Sequence, residues 1–205
     1  ETPGNNAANN SSKTSPASGN ESSSKDKTFR IGLSSSYTGG TAQEGIEARN
    51  AVEMALKKIN AEGGFNGATG VLANTYDNKG SPEEAVKACQ KLIQNENVDA
   101  VIASNSSAEV LATGQFFNEA KIFTIGMGTS ATWMKQGWKY VIRCSVNYDF
   151  VADELVKMVK EMGITKVAIM KDQQEAGLSF AKAFEDLYKD NGITVVTSES
   201  CEVDD

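Results

Sequence analysis

The sequence predicts an α/β fold, a parallel sheet covered by helices on both faces. Short runs of aliphatic and β-branched residues alternate with longer amphipathic stretches from Thr28 onward. That alternation builds βαβ units, whose crossovers make neighbouring strands parallel. The junctions also carry local stop and start signals, most clearly between Ile59 and Ala85. There a glycine pair (Gly63-Gly64) ends a helix, Asn66-Gly67 marks a tight turn, a strand ends at Tyr76-Asp77, and Ser81-Pro82 opens a second helix. Finally, 205 residues with 40% hydrophobic and 23% charged content are ordinary for a chain with a sizeable core, in one large or two small units.

The elements follow in order. Residues 29–33 form a first strand, and the polar loop 34–41 leads into a long helix in which Val52, Ala55, Leu56 and Ile59 make one apolar stripe. Residues 71–76 are the second strand. Ser81 caps the next helix, with Pro82 at its first position and Glu84 closing a capping box; Ala85, Val86, Cys89, Leu92 and Ile93 form its buried face. A strand at 99–102 runs through Asn105-Ser106-Ser107-Ala108-Glu109 into a third helix reaching Ala120. Strands at 122–125 and 140–143, a helix at 148–162, a strand at 166–170, a helix to Asp190 and a strand at 193–197 complete the reading. Residues 1–27 have no aromatic or large aliphatic side chain, so they bury too little to offset their ordering entropy and are expected to be disordered.

Composition excludes several function classes. A net charge of −7 and a pI of about 4.8 argue against nucleic acid or an anionic membrane surface as partner. The apolar runs are far too short to span a bilayer. With no histidine in the chain, Ser-His-Asp and Cys-His nucleophiles, imidazole bases and most zinc sites are ruled out. The three cysteines, Cys89, Cys144 and Cys201, include no CxxC pair. Cys89 reads as a core residue, and a Cys144–Cys201 disulfide stays open.

In a parallel sheet, ligands bind at the carboxyl ends of strands, beside helix N-termini, which points to the loops after Leu33, Tyr76, Ile102, Ile125 and Met170. After Ile102, Ser106 and Glu109 have capping-box spacing, a structural role worth about 1 kcal/mol. The same hydroxyls and free amides suit a carboxylate. After Ile125, residues 126–131 (Gly-Met-Gly-Thr-Ser-Ala) satisfy a G-x-G-x-x-A dinucleotide fingerprint. The fingerprint needs a long helix, and Trp133-Met134-Lys135-Gln136-Gly137-Trp138 breaks off soon after; nor is the motif at the first strand. The glycines there would instead let backbone approach a small ligand, with Gly128, Thr129 and Ser130 as its partners.

These motifs carry a family resemblance. Ile59-Asn60-Ala61-Glu62-Gly63-Gly64 with Gly67, then Tyr76-Asp77, then Pro82 to Ala85, match the Ile-Asn-Ala-x-Gly-Gly-x-x-Gly, Tyr-Asp-Asp and Pro-x-x-Ala patterns of the type I periplasmic solute-binding proteins, the family of the leucine/isoleucine/valine-binding protein. The resemblance covers Phe29 to Asp205. It implies the periplasmic-binding-protein-like type I fold: a Rossmann-like first lobe (28–147), the start of a second similar lobe (148–205), and residues 1–27 as a tether like the stalk of Gram-positive surface lipoproteins. The function it implies is not enzymatic and uses no cofactor or metal. It is that of a monomeric extracytoplasmic component of an ABC importer, binding an amino acid or similar small polar solute between two lobes and serving a membrane permease. Ser107, Thr129 and Ser130 would then hold the ligand's α-carboxylate and α-ammonium, Thr38-Gly39 would follow the first strand, and Asn147-Tyr148 would lie at the crossing between lobes. With Ser106, Gly128, Glu44 and Ala176, these make the candidate ligand-binding set Glu44, Ser106, Ser107, Gly128, Thr129, Ser130, Tyr148 and Ala176.

The departures from the family pattern bear on the ligand. Glu44 and Ala176 stand where leucine-binding relatives carry tyrosines, and Ala103-Ser104 replaces a common Gly-Pro. Losing tyrosine walls weakens the case for a branched aliphatic ligand, and Glu44 faces either solvent or a cationic or amide-bearing group. The second lobe has only two expected strands, too few for a sheet of its own, so a truncated chain is expected. Two other functions fit the same pattern: a sensing domain coupled to a receptor, and a nucleotide-dependent enzyme built on residues 126–131.

Overall fold

The structure, a computed structural model, describes residues 27–95 and 97–202. The expected tether lies, but for Lys27, outside the described residues. Strands and helices alternate as β1 (Thr28–Ser35), α1 (Ala42–Ala61), β2 (Thr69–Asp77), α2 (Pro82–Asn95), β3 (Ala100–Ile102), α3 (Ser107–Glu119), β4 (Phe123–Gly126), a 3₁₀ turn (Trp133–Gln136), β5 (Val141–Arg143), α4 (Tyr148–Glu161), β6 (Lys166–Asp172), α5 (Glu175–Asp190) and β7 (Thr194–Cys201). The first five strands form one sheet in the order β2-β1-β3-β4-β5, and β6 and β7 pair separately. Among the described residues, these strands all pair in parallel. This is the α/β architecture expected of the alternating pattern.

The stretch from Ile59 to Ala85 behaves largely as its punctuation dictates. Gly63 and Gly64 adopt φ of 102° and 75°, and the Gly64 amide donates to the Ile59 carbonyl at 2.9 Å, closing the end of α1. Asn66 and Gly67 follow with φ of 50° and 82°, while Phe65 and Ala68 exchange backbone hydrogen bonds of 2.8 and 3.0 Å across the turn. Asn60 has a role that spacing did not show: its side-chain amide donates to the Gly70 carbonyl and accepts from the Gly70 amide, both at 2.8 Å. One side chain thereby ties the end of α1 to β2.

Three local expectations fail. Ala55 is exposed, and α1 buries only Gly45 and Leu56 fully. Neither capping box forms. The Ser81 amide donates to the Asn78 carbonyl at 2.9 Å and Glu84 accepts from Lys87 at 2.6 Å, while Glu109 turns inward, as described below. Local spacing permits a capping box, but a nearer or better buried partner takes the side chain.

The core of the five-stranded sheet is Cys89, Leu92, Val101, Ala103, Val110, Phe117, Trp133 and Val141, where α2 and α3 cover β3 and β5. Burial pushes the Cys89 thiol up to about 12, which suits an inert core residue. Cys144 is exposed; the Cys201 thiol donates to the Lys171 carbonyl at 3.5 Å, and both are free, so the Cys144–Cys201 pair left open by the sequence is not formed. A smaller cluster of Val156, Tyr188 and Ile193 joins α4, α5 and the loop before β7. Among the described residues, no helix is long and apolar enough to cross a membrane.

Candidate functional site

The carboxyl ends of β1, β2 and β3 meet over a buried polar network. Asn78, just past β2, is fully buried and reaches three ways. It accepts from the Ser36 hydroxyl at 2.9 Å, and its amide donates to Ser34 Oγ at 3.4 Å and to Glu109 Oε2 at 2.7 Å. The Ser104 hydroxyl also donates to Glu109 Oε2 and accepts the Ser106 amide at 3.1 Å. Burial raises the Glu109 carboxyl above its ordinary range, partly offset by the hydrogen bonds from Ser104 and Asn78. Above this network, Asp77 fastens the loop after β1, accepting from the Tyr37 amide at 2.8 Å and the Thr38 hydroxyl at 2.7 Å. Slight burial pushes its carboxyl up, but the hydrogen bonds from Thr38, Tyr37 and Lys79 outweigh that and hold it below the usual range.

The loop after β4 is pressed against the start of α3. A Cβ on Gly128 would sit 2.6 Å from Ser107 Cα and 2.9 Å from the Ser107 nitrogen, so only glycine allows the approach. Ser107, 3% exposed, accepts the buried Ser130 amide on its Oγ at 3.0 Å, leaving its own proton to donate. Arg143 holds the same loop by donating to the Thr129 and Ser130 carbonyls, each at 3.3 Å. The segment from Gly126 then enters the 3₁₀ turn instead of the long helix that a dinucleotide fingerprint requires.

These elements form one wall of a cleft of about 490 Å³. Glu44, Asn105, Ser106, Ser107, Glu109 and Thr129 line it from the side of the five-stranded sheet, and residues 173–176, at the start of α5, line it from the other. The N-termini of two helices, α3 and α5, therefore open on the same space. Ser106 makes no side-chain cap, and the first ladder bond of α3 is from the Val110 amide to the Ser106 carbonyl at 3.1 Å, so the amides of Ser107, Ala108 and Glu109 are left for an acceptor in the cleft. The Ser130 hydroxyl donates to Glu175 Oε1 at 3.2 Å across the cleft's base.

Of the candidate residues, Glu44, Ser106, Ser107, Thr129 and Ala176 line this cleft together. Gly128 and Ser130 lie fully buried beneath it, supporting Ser107. Tyr148 does not join them. It packs at a tilt against Phe180, ring centroids 4.4 Å apart, and lines a separate cavity of about 420 Å³ against β6 and α5. Sequence reasoning missed Asn78, Ser104, Asn105, Gln173, Gln174 and Glu175. In the sequence Ser104 stands out only as a departure from Gly-Pro and Glu109 only as a capping partner; the usable signal is the crowding of polar residues directly after apolar strands.

Known proteins share this architecture. The periplasmic binding protein family model matches residues 28–205. The leucine-, isoleucine-, valine-, threonine- and alanine-binding protein of Pseudomonas aeruginosa is 29% identical over 183 residues, covering 87% of this chain and 48% of its own. The Leu/Ile/Val/Thr-binding protein of Salmonella typhimurium is 25% identical over 170 residues, covering 82% and 46%. A leucine binding protein structure from Thermotoga maritima superposes with a TM-score of 0.76 at 21% identity, covering 87% of this chain and 50% of that one. The branched-chain amino acid transporter substrate binding protein of Streptococcus pneumoniae, in complex with isoleucine, gives 0.76 at 25% identity, covering 87% and 51%. The chain thus spans about half the length of the curated relatives it matches, 48% and 46% of the two named here. A family match running from the first strand to the last residue, on a parallel sheet of the same architecture, means that this chain belongs to the type I periplasmic binding protein family, that of the leucine/isoleucine/valine-binding proteins.

Proposed function

We propose that this chain carries the ligand-binding region of an extracytoplasmic substrate-binding component of an ABC importer, with residues 28–147 as a first lobe and 148–205 as part of a second. The ligand is an amino acid or a similarly small polar solute, held in the cleft between them and handed to a membrane permease. Residues 1–27 serve as the tether of a surface lipoprotein. The observation that supports this most directly is the convergence of two helix N-termini, one from each sheet, on a single cleft of about 490 Å³, within the usual size of small-molecule sites.

The chemistry matches a zwitterion. Uncapped amides at the start of α3, the Ser107 proton and the Thr129 hydroxyl suit a carboxylate, since the helix dipole and the donors both favour an anion there. The Ser130–Glu175 hydrogen bond joins the two lobes at the cleft's base, and ligand contacts on both walls would favour a closed arrangement that a permease reads. Relatives named for leucine, isoleucine, valine, threonine and alanine support an amino acid as the cargo. The test is a thermal-shift panel of the twenty amino acids on the full-length protein. At least one should raise the melting temperature in a concentration-dependent way, and no stabilisation by any of them would defeat the reading.

A further inference from the structure

The lining of the cleft points to a ligand unlike the branched-chain amino acids. Three of its side chains, Glu44, Glu109 and Glu175, are carboxylates, and among the described residues that line it there is no lysine, arginine or aromatic ring, and no apolar side chain larger than that of Pro82. An aliphatic side chain would find little to bury against here. None of the three carboxylates forms an ion pair among the described residues. The partners they do have are neutral: Asn105 donates to Glu44, the Ser130 hydroxyl to Glu175, and Asn78 and Ser104 to Glu109.

Glu109 makes the arrangement more than a group of acids. It is 1% exposed, it lines the cleft, and its Oε1 has no hydrogen-bond donor. A buried carboxylate oxygen left unpaired is costly, and the cost is relieved when a donor reaches it. Glu109 also lies near Glu44 on this wall. Glu44 accepts from Asn105 Nδ2, and the Ser104 hydroxyl, whose proton goes to Glu109 Oε2, lies 3.5 Å from Asn105 Oδ1. Two carboxylates thus stand on the same wall, with no ion-pair partner among the described residues. A neutral amide could satisfy the vacant oxygen; a cation would also offset the charge of both acids.

Resting on the reading that this cleft holds the ligand, we propose that the ligand is a cationic amino acid, whose ammonium or guanidinium side chain is received by Glu44 and Glu109. The acids set specificity, while the α3 N-terminus and Ser107 take the α-carboxylate. Calorimetric titration of the full-length protein with L-arginine, L-lysine, L-glutamine and L-leucine tests this, in the wild type and in Glu44→Gln and Glu109→Gln. Arginine or lysine should bind about tenfold or more tighter than leucine and glutamine, and Glu44→Gln, an exposed change with no expected cost to folding, should erase about tenfold of that preference. Glu109→Gln should weaken the cationic ligand similarly. Tighter binding of leucine or glutamine than of both basic amino acids would overturn the proposal while leaving the amino-acid-importer reading intact. So would a basic preference that survives Glu44→Gln and Glu109→Gln unchanged. Binding of no amino acid at all would remove both.

Discussion

Replacing Ser107 by alanine tests the joint on which the cleft depends. In the structure the Ser107 Oγ accepts the Ser130 amide at 3.0 Å, and Ser130 is 0% exposed, so truncation leaves a buried N–H with neither its acceptor nor water. Leaving such a group unpaired costs about 1–3 kcal/mol of folding stability. A second loss follows if Ser107 also donates to the ligand, roughly 1–3 kcal/mol of binding for a charge-assisted hydrogen bond. Ser106→Ala is the matched control: Ser106 makes no side-chain cap, so its removal should change stability by no more than about 0.5 kcal/mol. Urea unfolding of the full-length variants gives the first quantity, and calorimetric titration with whichever amino acid stabilises the wild type gives the second. A Ser107→Ala protein that unfolds at the same midpoint as Ser106→Ala and binds with wild-type affinity would refute the reasoning, reducing Ser107 to a helix-end hydroxyl.

Three further outcomes are expected. In Gly45→Ala the new Cβ would lie 1.7 Å from the Ser36 carbonyl oxygen, a backbone atom that cannot swing aside, so α1 must shift at a cost of about 3 kcal/mol, read as a lower urea midpoint; an unchanged midpoint would show that α1 rides freely on the sheet. Because burial raises the Glu109 carboxyl in the folded state above its ordinary 4.5, the folded protein holds that proton more tightly than the unfolded chain. Its contribution is therefore most favourable below pH 4.5 and is lost as pH rises through the folded value, so Glu109→Gln should gain stability relative to wild type over that rise; a stability difference that stays flat with pH would contradict the assignment. Finally, a thiol reagent at neutral pH should label exposed Cys144 first and Cys201 more slowly, and Cys89 only on unfolding, as mass spectrometry of timed samples would show; early labelling of Cys89 would contradict its burial.

Much of the architecture was legible because it rests on local rules. The Gly63-Gly64 stop, the Asn66-Gly67 turn and the alternation of strand and helix depend on backbone preferences of a few adjacent residues, and each appears where the sequence places it. Strand ends were less legible: β1 runs on through Ser34 and Ser35 because β2 offers Tyr76 and Asp77 as backbone partners, whatever the polarity of the side chains. The capping boxes misled for a related reason. Ser106 and Glu109 have the right spacing, but Asn78, thirty-one positions from Glu109, offers a buried donor that local spacing does not reveal.

The sequence alone determined the parallel α/β fold, the family, and two of the strand ends that line the cleft, since helix N-termini and hydroxyl-bearing loops announce themselves by local chemistry. The tertiary structure decided which side chains share one space. It set Glu44, Glu109 and Glu175 around a single cleft, put Ser130 beneath Ser107 and moved Tyr148 to another cavity, because such neighbours are brought together by sheet order and helix packing across tens of residues, distances over which no periodicity in the chain carries information.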